Sequence, residues 1–563
     1  MRFLTAKSSH FIFAALCITI VSGVCYFSTL SAPFLWDDQY LVVNNPQIKN
    51  PAKSEELFTS TIGQDTIQHS YYRPLQMLSY MLDHLFWKDE PLGFHLTNVF
   101  LHALAGICLM EFLWILSLSR WTALYAALLF VSHPVHTEAV SYISGRADPL
   151  VAVFTFLTIG TYIYSCKKNS PIKSSLHVLF GLAFYVMALL SKEQAVIIPF
   201  MLILYHISYK SKIRWAAIIP FFLITAGYAA VRILGLFFTA VQLDASSGTS
   251  LSERLPGAFV ALFSYIRLLL LPVNLHMGYG QQTFEFGDSQ VSAGFSIFLL
   301  MMILFFKQRR DYPLMSFAIG WFLLGLIPVS NLIPVNAYMA EHWLYLPSVG
   351  YFILFGMFFG FLYKRIPGKW FIEGLFSIFL VFQIILTVQQ NQVWKDPVAL
   401  YSRVLMHNPS FVKAHYNLAN TLVSRGEFDQ AIQHYQAAIQ SNPRYADAQN
   451  NLGVAYQKKG DLSHAYRCYL NALEINPHHV DANNNIGNIL TQQGRYEEAA
   501  IYFQKILNVN PNYAGAYNNL GILYARQGQY KKAVEYINRA LAIDPHFQEA
   551  LDNLKDVSQY IEK

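Results

Sequence analysis

The chain of 563 residues is 54% hydrophobic, 15% aromatic and only 13% charged, with a mean hydropathy of +0.30. Soluble chains carry about 25% charged residues, so much of this one is expected in lipid. Its net charge of +6 comes with no basic block, which argues against a nucleic-acid partner, and its five cysteines form no CxxC pair, which signals neither a zinc site nor a disulfide framework.

Arg2 and Lys7 precede an apolar run from Phe11 to Leu30. That run has the length of a bilayer-spanning helix. Ser31-Ala32 is small enough for signal cleavage, but the length favours a retained anchor. Just beyond it stands Phe34-Leu35-Trp36-Asp37-Asp38. Two adjacent carboxylates at a membrane surface read as the acidic floor of a site, with a solvated cap as the plain alternative.

A polar segment runs from Ala32 to about His95, followed by apolar runs at about 97–118, 121–134, 149–165, 175–191, 194–209 and 215–239. Four more lie at about 293–306, 313–335, 345–363 and 370–389. Short-loop cations orient the set. Lys167, Lys168 and Lys173; Lys210, Lys212 and Arg214; Lys307, Arg309 and Arg310; and Lys364, Arg365 and Lys369 form four clusters. All fall in the cytoplasm if the stretch 254–273, with Arg254, Arg267 and Pro272, is interfacial or re-entrant. The expectation is an all-α bundle of about eleven spans, with its N-terminus cytoplasmic and its C-terminus outside. Asp37-Asp38, 136–148, 192–193, 240–292 and 336–343 then share the outer face.

Three outer segments concentrate ionisable groups. The first reads His133-Pro134-Val135-His136-Thr137-Glu138, then Arg146-Ala147-Asp148; the second is Lys192-Glu193; the third is Glu341-His342. Ionisable residues at a membrane boundary are costly and usually functional. A metal on His133 and His136 is one reading, but no zinc spacing supports it; contact with a polar substrate fits better. An isolated arginine here reads as a lipid-headgroup contact, and Arg73, Arg146 and Lys192 on one face could instead clamp a phosphate.

From about residue 393 the composition turns polar and a period of 34 appears. Pro409, Pro443, Pro477, Pro511 and Pro545 keep it, as do Gly426, Gly460, Gly494 and Gly528, and Ala431, Ala465, Ala499 and Ala533. This is the tetratricopeptide pattern. Full repeats fall at about 412–445, 446–479, 480–513 and 514–547, making 393–563 a repeat solenoid after a membrane domain at 1–392. Asn417, Asn451, Asn485 and Asn519 share one register, which resembles the asparagine ladder of the O-GlcNAc transferase repeats and implies an extended acceptor polypeptide in the groove.

Trp36-Asp37-Asp38, Tyr72-Arg73-Pro74-Leu75, Phe94-His95-Leu96-Thr97-Asn98 with His102-Ala103, the His133–Asp148 run, Lys192-Glu193-Gln194 and Leu344-Tyr345-Leu346-Pro347-Ser348 occur in this order. With the repeats, they resemble the transmembrane O-mannosyltransferases that carry lumenal tetratricopeptide repeats, of the multi-span C-type glycosyltransferase fold. The resemblance implies transfer of a mannose-like sugar, with inversion, from a polyprenyl or dolichyl monophosphate to an acceptor hydroxyl, a serine or threonine of a protein presented by the repeats. It makes Asp37 the first choice of general base, with Asp38 orienting the acceptor or sharing the role. Arg73, His133, His136, Glu138, Arg146, Asp148, Lys192, Glu193, Glu341 and His342 form the candidate donor-binding set. The family favours an arginine after the glutamate, where this chain has His342.

No cofactor is expected, because side chains can offset one phosphate without a divalent metal. The partners implied are membrane lipid, the lipid-linked sugar and an acceptor protein. The setting is a bacterial inner membrane facing the periplasm, or an endoplasmic reticulum membrane facing the lumen. The rival readings are a non-enzymatic membrane-anchored repeat scaffold, a lipid-linked sugar transporter, and transfer to a glycan or lipid acceptor.

Overall fold

A computed structural model describes residues 2–59, 72–116, 118–167, 170–234, 250–280, 282–332, 334–335 and 337–561. Lys168, residues 240–249 of the expected outer stretch, residue 336 and the last two residues lie outside them. Among the described residues the chain is helical and contains no strand. It divides into two compact units, Met1–Arg403 and Val404–Lys563.

In the first unit a helix forms in each of the expected apolar runs, with residues 235–239 of the run 215–239 outside the described residues. The order begins α1 (Arg2–Tyr26), α2 (Pro74–Trp87), α3 (Pro91–Ile115), α4 (Arg120–Ser132), α5 (Ala147–Cys166), α6 (Pro171–Ser191) and α7 (Ile198–Ser208). It continues with α8 (Trp215–Leu234), α9 (Leu251–Leu270), α10 (Ser289–Gln308), α11 (Pro313–Leu326), α12 (Val349–Arg365), α13 (Lys369–Lys395) and α14 (Pro397–His407), whose last four residues belong to the second unit. Proline opens α2, α3, α6, α11 and α14, the position where its missing N–H is harmless and its φ is already helical. Ser250 and Glu253 close a capping box on α9, satisfying donors that would otherwise be left at that helix start.

Among the described residues seven helical stretches are long and apolar enough to cross a membrane: His10–Ser31, Pro91–Ile115, Ile143–Cys166, Pro171–Ser191, Trp215–Arg232, Ser289–Gln308 and Lys369–Lys395. Arg120–Ser132, Glu193–Ser208 and Pro313–Val329 are shorter apolar helices. Helix α9, with Glu253, Arg254 and Arg267, is in neither group; it packs along α10. α3 and α6 both lie against α5, so the stretch entering α5, residues 133–148, is held at the centre of the unit.

The second unit is a stack of helix pairs: Val412–Ser424 with Phe428–Ser441, Ala446–Lys458 with Leu462–Ile475, Val480–Gln492 with Tyr496–Val509, and Ala514–Arg526 with Tyr530–Ile543. Gln548–Ser558 caps it. The periodic glycines sit between the helices of each pair at φ +76 to +91, a left-handed conformation that a side chain disfavours. Ala431, Ala465, Ala499 and Ala533 are wholly buried. Close approach within each pair also depends on a glycine of the first helix: a Cβ on Gly487 would lie 2.6 Å from the Phe503 ring.

Candidate active site

The paired acids sit in a tight turn, and the two side chains do different things. Trp36 has φ +48, a left-handed conformation that is unfavourable for a bulky residue. Asp38, 1% exposed, holds that turn: its carboxylate accepts from Leu35 N at 2.9 Å and from the Ser144 backbone N–H at 2.9 Å, as well as from the Ser144 hydroxyl. Burial pushes the Asp38 carboxyl up to about 7, although these donors pull the other way. Asp37 is only half-buried. Its backbone N–H donates to the Tyr142 hydroxyl at 2.8 Å, and Trp36 N–H donates to the Tyr401 hydroxyl at 3.3 Å. Two phenols thus hold consecutive peptide groups, and the Asp37 carboxylate is carried on a fixed backbone. The Tyr142 ring is stacked on Trp394 at 5.9 Å.

Ser144 is itself fixed from below. Asn98 donates to the carbonyls of Val140, Tyr142 and Ile143 at 3.1 to 3.3 Å. Gln76 donates to Ser144 O at 2.9 Å, and the Tyr80 hydroxyl to Ile143 O at 2.9 Å. Arg146 organises this platform. Fully buried, it pairs with Asp83 at 2.6 Å and donates to Asn98 Oδ1 at 2.6 Å, Ser79 Oγ at 3.1 Å and Phe94 O at 2.8 Å, with its guanidinium over the Tyr80 ring. A guanidinium enclosed this way acts on the site through the loop that it shapes.

His133 and His136 are also in the interior, both 0% exposed. His133 Nδ1 accepts from Val135 N at 3.2 Å, which leaves Nε2–H to donate to Leu269 O at 3.1 Å. His136 bonds Phe130 O at 2.8 Å and Ser348 Oγ at 3.1 Å. Both rings tie the 133–148 stretch to neighbouring elements.

The other charges gather as pairs. Arg73 grips Glu193 with two prongs, 3.0 and 2.5 Å; burial raises the Glu193 carboxyl, but Arg73 and then Lys192 outweigh it and hold it at about 2. Lys192 pairs with Asp148 at 2.6 Å, and both side chains are buried. Glu138 accepts from His342 N at 3.0 Å and His342 Nδ1 at 2.7 Å. Burial pushes Glu138 up, and His342 with Lys192 brings it below the usual carboxylate range. Glu341 goes the other way: burial and the charge of Glu138 raise it well above that range, while Tyr279 donates to it at 2.8 Å. Two neighbouring acids with opposite shifts are a pattern of functional sites. Arg73, Glu193 and His342 retain 15%, 40% and 29% side-chain exposure, so these are the members of the donor set that an incoming molecule can reach.

Among the described residues, no three His, Cys, Asp or Glu side chains gather as a metal site. Asn98, Tyr142 and Ser144 fall within the motifs that carry the resemblance but have no role assigned there, whereas Tyr401 and Arg232 lie outside every motif, Arg232 being marked only as a cation inside an apolar run.

In the repeats Asn451, Asn485 and Asn519 each bond residues of the preceding repeat that lie outside their own register. Asn451 donates to Tyr416 Oη at 2.9 Å and Asn420 Oδ1 at 3.0 Å, Asn485 to Asn450 Oδ1 at 3.1 Å, and Asn519 to Asn484 Oδ1 at 2.6 Å. Asn417 holds the same place in the first pair. The amide N–H groups join repeat to repeat, and the side-chain carbonyls keep acceptor capacity.

Models described as tetratricopeptide repeat match residues 479–546 and 446–479, and one described as TPR repeat matches 419–460. The chain is also similar to curated proteins over three-quarters of its length. It is 27% identical over 490 residues to protein O-mannosyl-transferase TMTC4 of Mus musculus, covering 75% of this chain and 66% of the relative. It is 27% identical over 444 residues to protein O-mannosyl-transferase F38B6.6 of Caenorhabditis elegans, covering 74% and 61%. With protein O-mannosyl-transferase TMTC1 of Homo sapiens the identity is 28% over 481 residues, covering 75% and 54%. The chain therefore spans about two-thirds or less of the length of these relatives. Among solved structures, the TPR protein YrrB is 26% identical with a TM-score of 0.25, covering 28% of this chain and 81% of its own. The similarity to proteins named O-mannosyl-transferase thus extends over about three-quarters of the chain, and the repeat models match its C-terminal part.

Proposed function

We propose that this chain is an integral-membrane glycosyltransferase. It moves a mannose-like sugar from a polyprenyl or dolichyl monophosphate to a serine or threonine hydroxyl of a protein held by the repeats. The observation that carries this reading is the division of labour in the acid pair: Asp38 is locked into the turn, while Asp37 stays half-buried on a backbone fixed by Tyr142 and Tyr401. The acceptor hydroxyl attacks the anomeric carbon and gives its proton to Asp37. The bond from that carbon to the phosphate oxygen breaks, the electron pair leaves with the lipid phosphate, and the sugar inverts. A positioned base contributes roughly 10²–10⁴-fold. Arg73 is the accessible cation of the donor set and meets the phosphate as its charge grows, the moment when electrostatic stabilisation counts most.

In this reading the N-terminus is cytoplasmic and the acid turn and repeats are extracytoplasmic. The repeats bind extended polypeptide through the asparagine carbonyls, raising the local acceptor concentration. The test is Asp37→Asn in purified full-length protein. Transfer from a polyprenyl-phosphate mannose should fall by the factor given above while folding and insertion stay intact. Turnover near that of the unaltered protein would remove Asp37 from the mechanism.

A further inference from the structure

The mechanism does not use Arg232. Arg232 lies in the last turn of α8 and is the only charged residue of that helix. It falls at the end of a stretch apolar enough to cross a membrane, where an isolated charge is costly unless it meets an anion or water. Its Nη1 donates to the Tyr228 hydroxyl at 3.3 Å, and its guanidinium carbon is 6.0 Å from the centre of that ring. Among the described residues it makes no ion pair.

Tyr228 connects it to the site. The Tyr228 and Tyr72 rings are 6.4 Å apart, and Tyr72 directly precedes Arg73. Arg73 is matched by Glu193, so that pair carries no excess charge. Arg232 supplies a positive charge that no carboxylate among the described residues offsets, beside the accessible cation of the site and at the boundary of the apolar layer.

We propose that Arg232, with Tyr228 and Arg73, binds the phosphate of a lipid whose tail enters the membrane along α8. This inference rests on the lipid-phosphate reading above and adds the residue that provides the excess charge. A sugar phosphodiester is a monoanion, and one unmatched guanidinium suits it. The departing monoester gains further charge, so the same contact strengthens as the bond to the sugar breaks.

The experiment measures direct binding of a polyprenyl monophosphate to the full-length protein in lipid nanodiscs, alongside the Michaelis constant for the lipid-linked sugar. Arg232→Gln should weaken both by on the order of 10- to 100-fold, the worth of a charge-assisted hydrogen bond. The acceptor Michaelis constant should stay unchanged. Arg232→Lys should recover part of the loss, and Tyr228→Phe, which keeps the charge but removes its hydroxyl partner, should fall between. Unchanged binding in Arg232→Gln, with the unaltered protein binding and active, would overturn the role of Arg232 and leave the donor reading standing. Full competition by an excess of phosphatidylglycerol would make the contact a general headgroup one and overturn it too. If the unaltered protein neither binds the lipid phosphate nor uses its sugar ester, the donor reading fails, and this inference with it.

Discussion

The two units stabilise polar groups in opposite ways. In the repeats, Asn485 bonds Asn450, Asn519 bonds Asn484 and Asn553 bonds Asn518, each pair 35 residues apart. In the first unit, Asp38 meets Ser144 at a separation of 106, Arg73 meets Glu193 at 120, Glu138 meets His342 at 204 and Ser141 meets Asn391 at 250. A repeated bond is one of several equivalents, and its loss stays with its neighbours. A contact made once, between distant segments and away from water, takes others with it when it goes.

The largest expected effect tests the second half of this contrast. Arg146→Met removes the partner of Asp83 and Asn98, and should destabilise the first unit by about 3–5 kcal/mol, the cost of breaking a buried ion pair on one side. Separate thermal transitions for the two units would show it, with the repeat transition unmoved. Loss of activity with no change in melting would instead make Arg146 a ligand contact.

A smaller effect probes the repeats. Gly487→Ala places a methyl group against Phe503 and should cost about 1–3 kcal/mol by overpacking. Only the repeat transition should fall, while transfer to a short acceptor peptide stays unchanged. Unfolding of both units together would break the comparison.

A third effect is a pH dependence. The Asp38 carboxyl ionises near pH 4 in the unfolded chain and at about 7 in the folded one, so between these values the folded state holds the extra proton. Its contribution to stability is therefore fully present below about pH 4 and declines as pH rises through about 7. Asp38→Asn, which cannot titrate, should lack that component in a stability–pH profile. An identical slope in both proteins would assign it to another group.

Much of the architecture was legible in the sequence, because it rests on periods. Apolar runs of fixed length gave the helices of the first unit, and a step of 34 residues gave the repeat pairs. Asp37 and Asp38 could be picked out together because adjacent acids at a membrane edge are unusual. Their separate roles could not, since these depend on Ser144 and on two tyrosines far along the chain. Arg146, His133 and His136 had the residue types of ligand contacts, and only their enclosure shows them bonding to the protein itself. Arg232 was obscured by the apolar run around it, and its significance emerges only beside Tyr228 and Tyr72.

The ties between the two ends of the first unit also bear on synthesis. Asn391 donates to Cys25 O at 2.7 Å and accepts from Ser141, and Tyr401 holds the peptide group of Trp36. Ribosomes release the chain from its N-terminus, so the early segments must wait, inserted but unfinished, for residues 391 and 401. The acid turn reaches its final form only once residue 401 has been made.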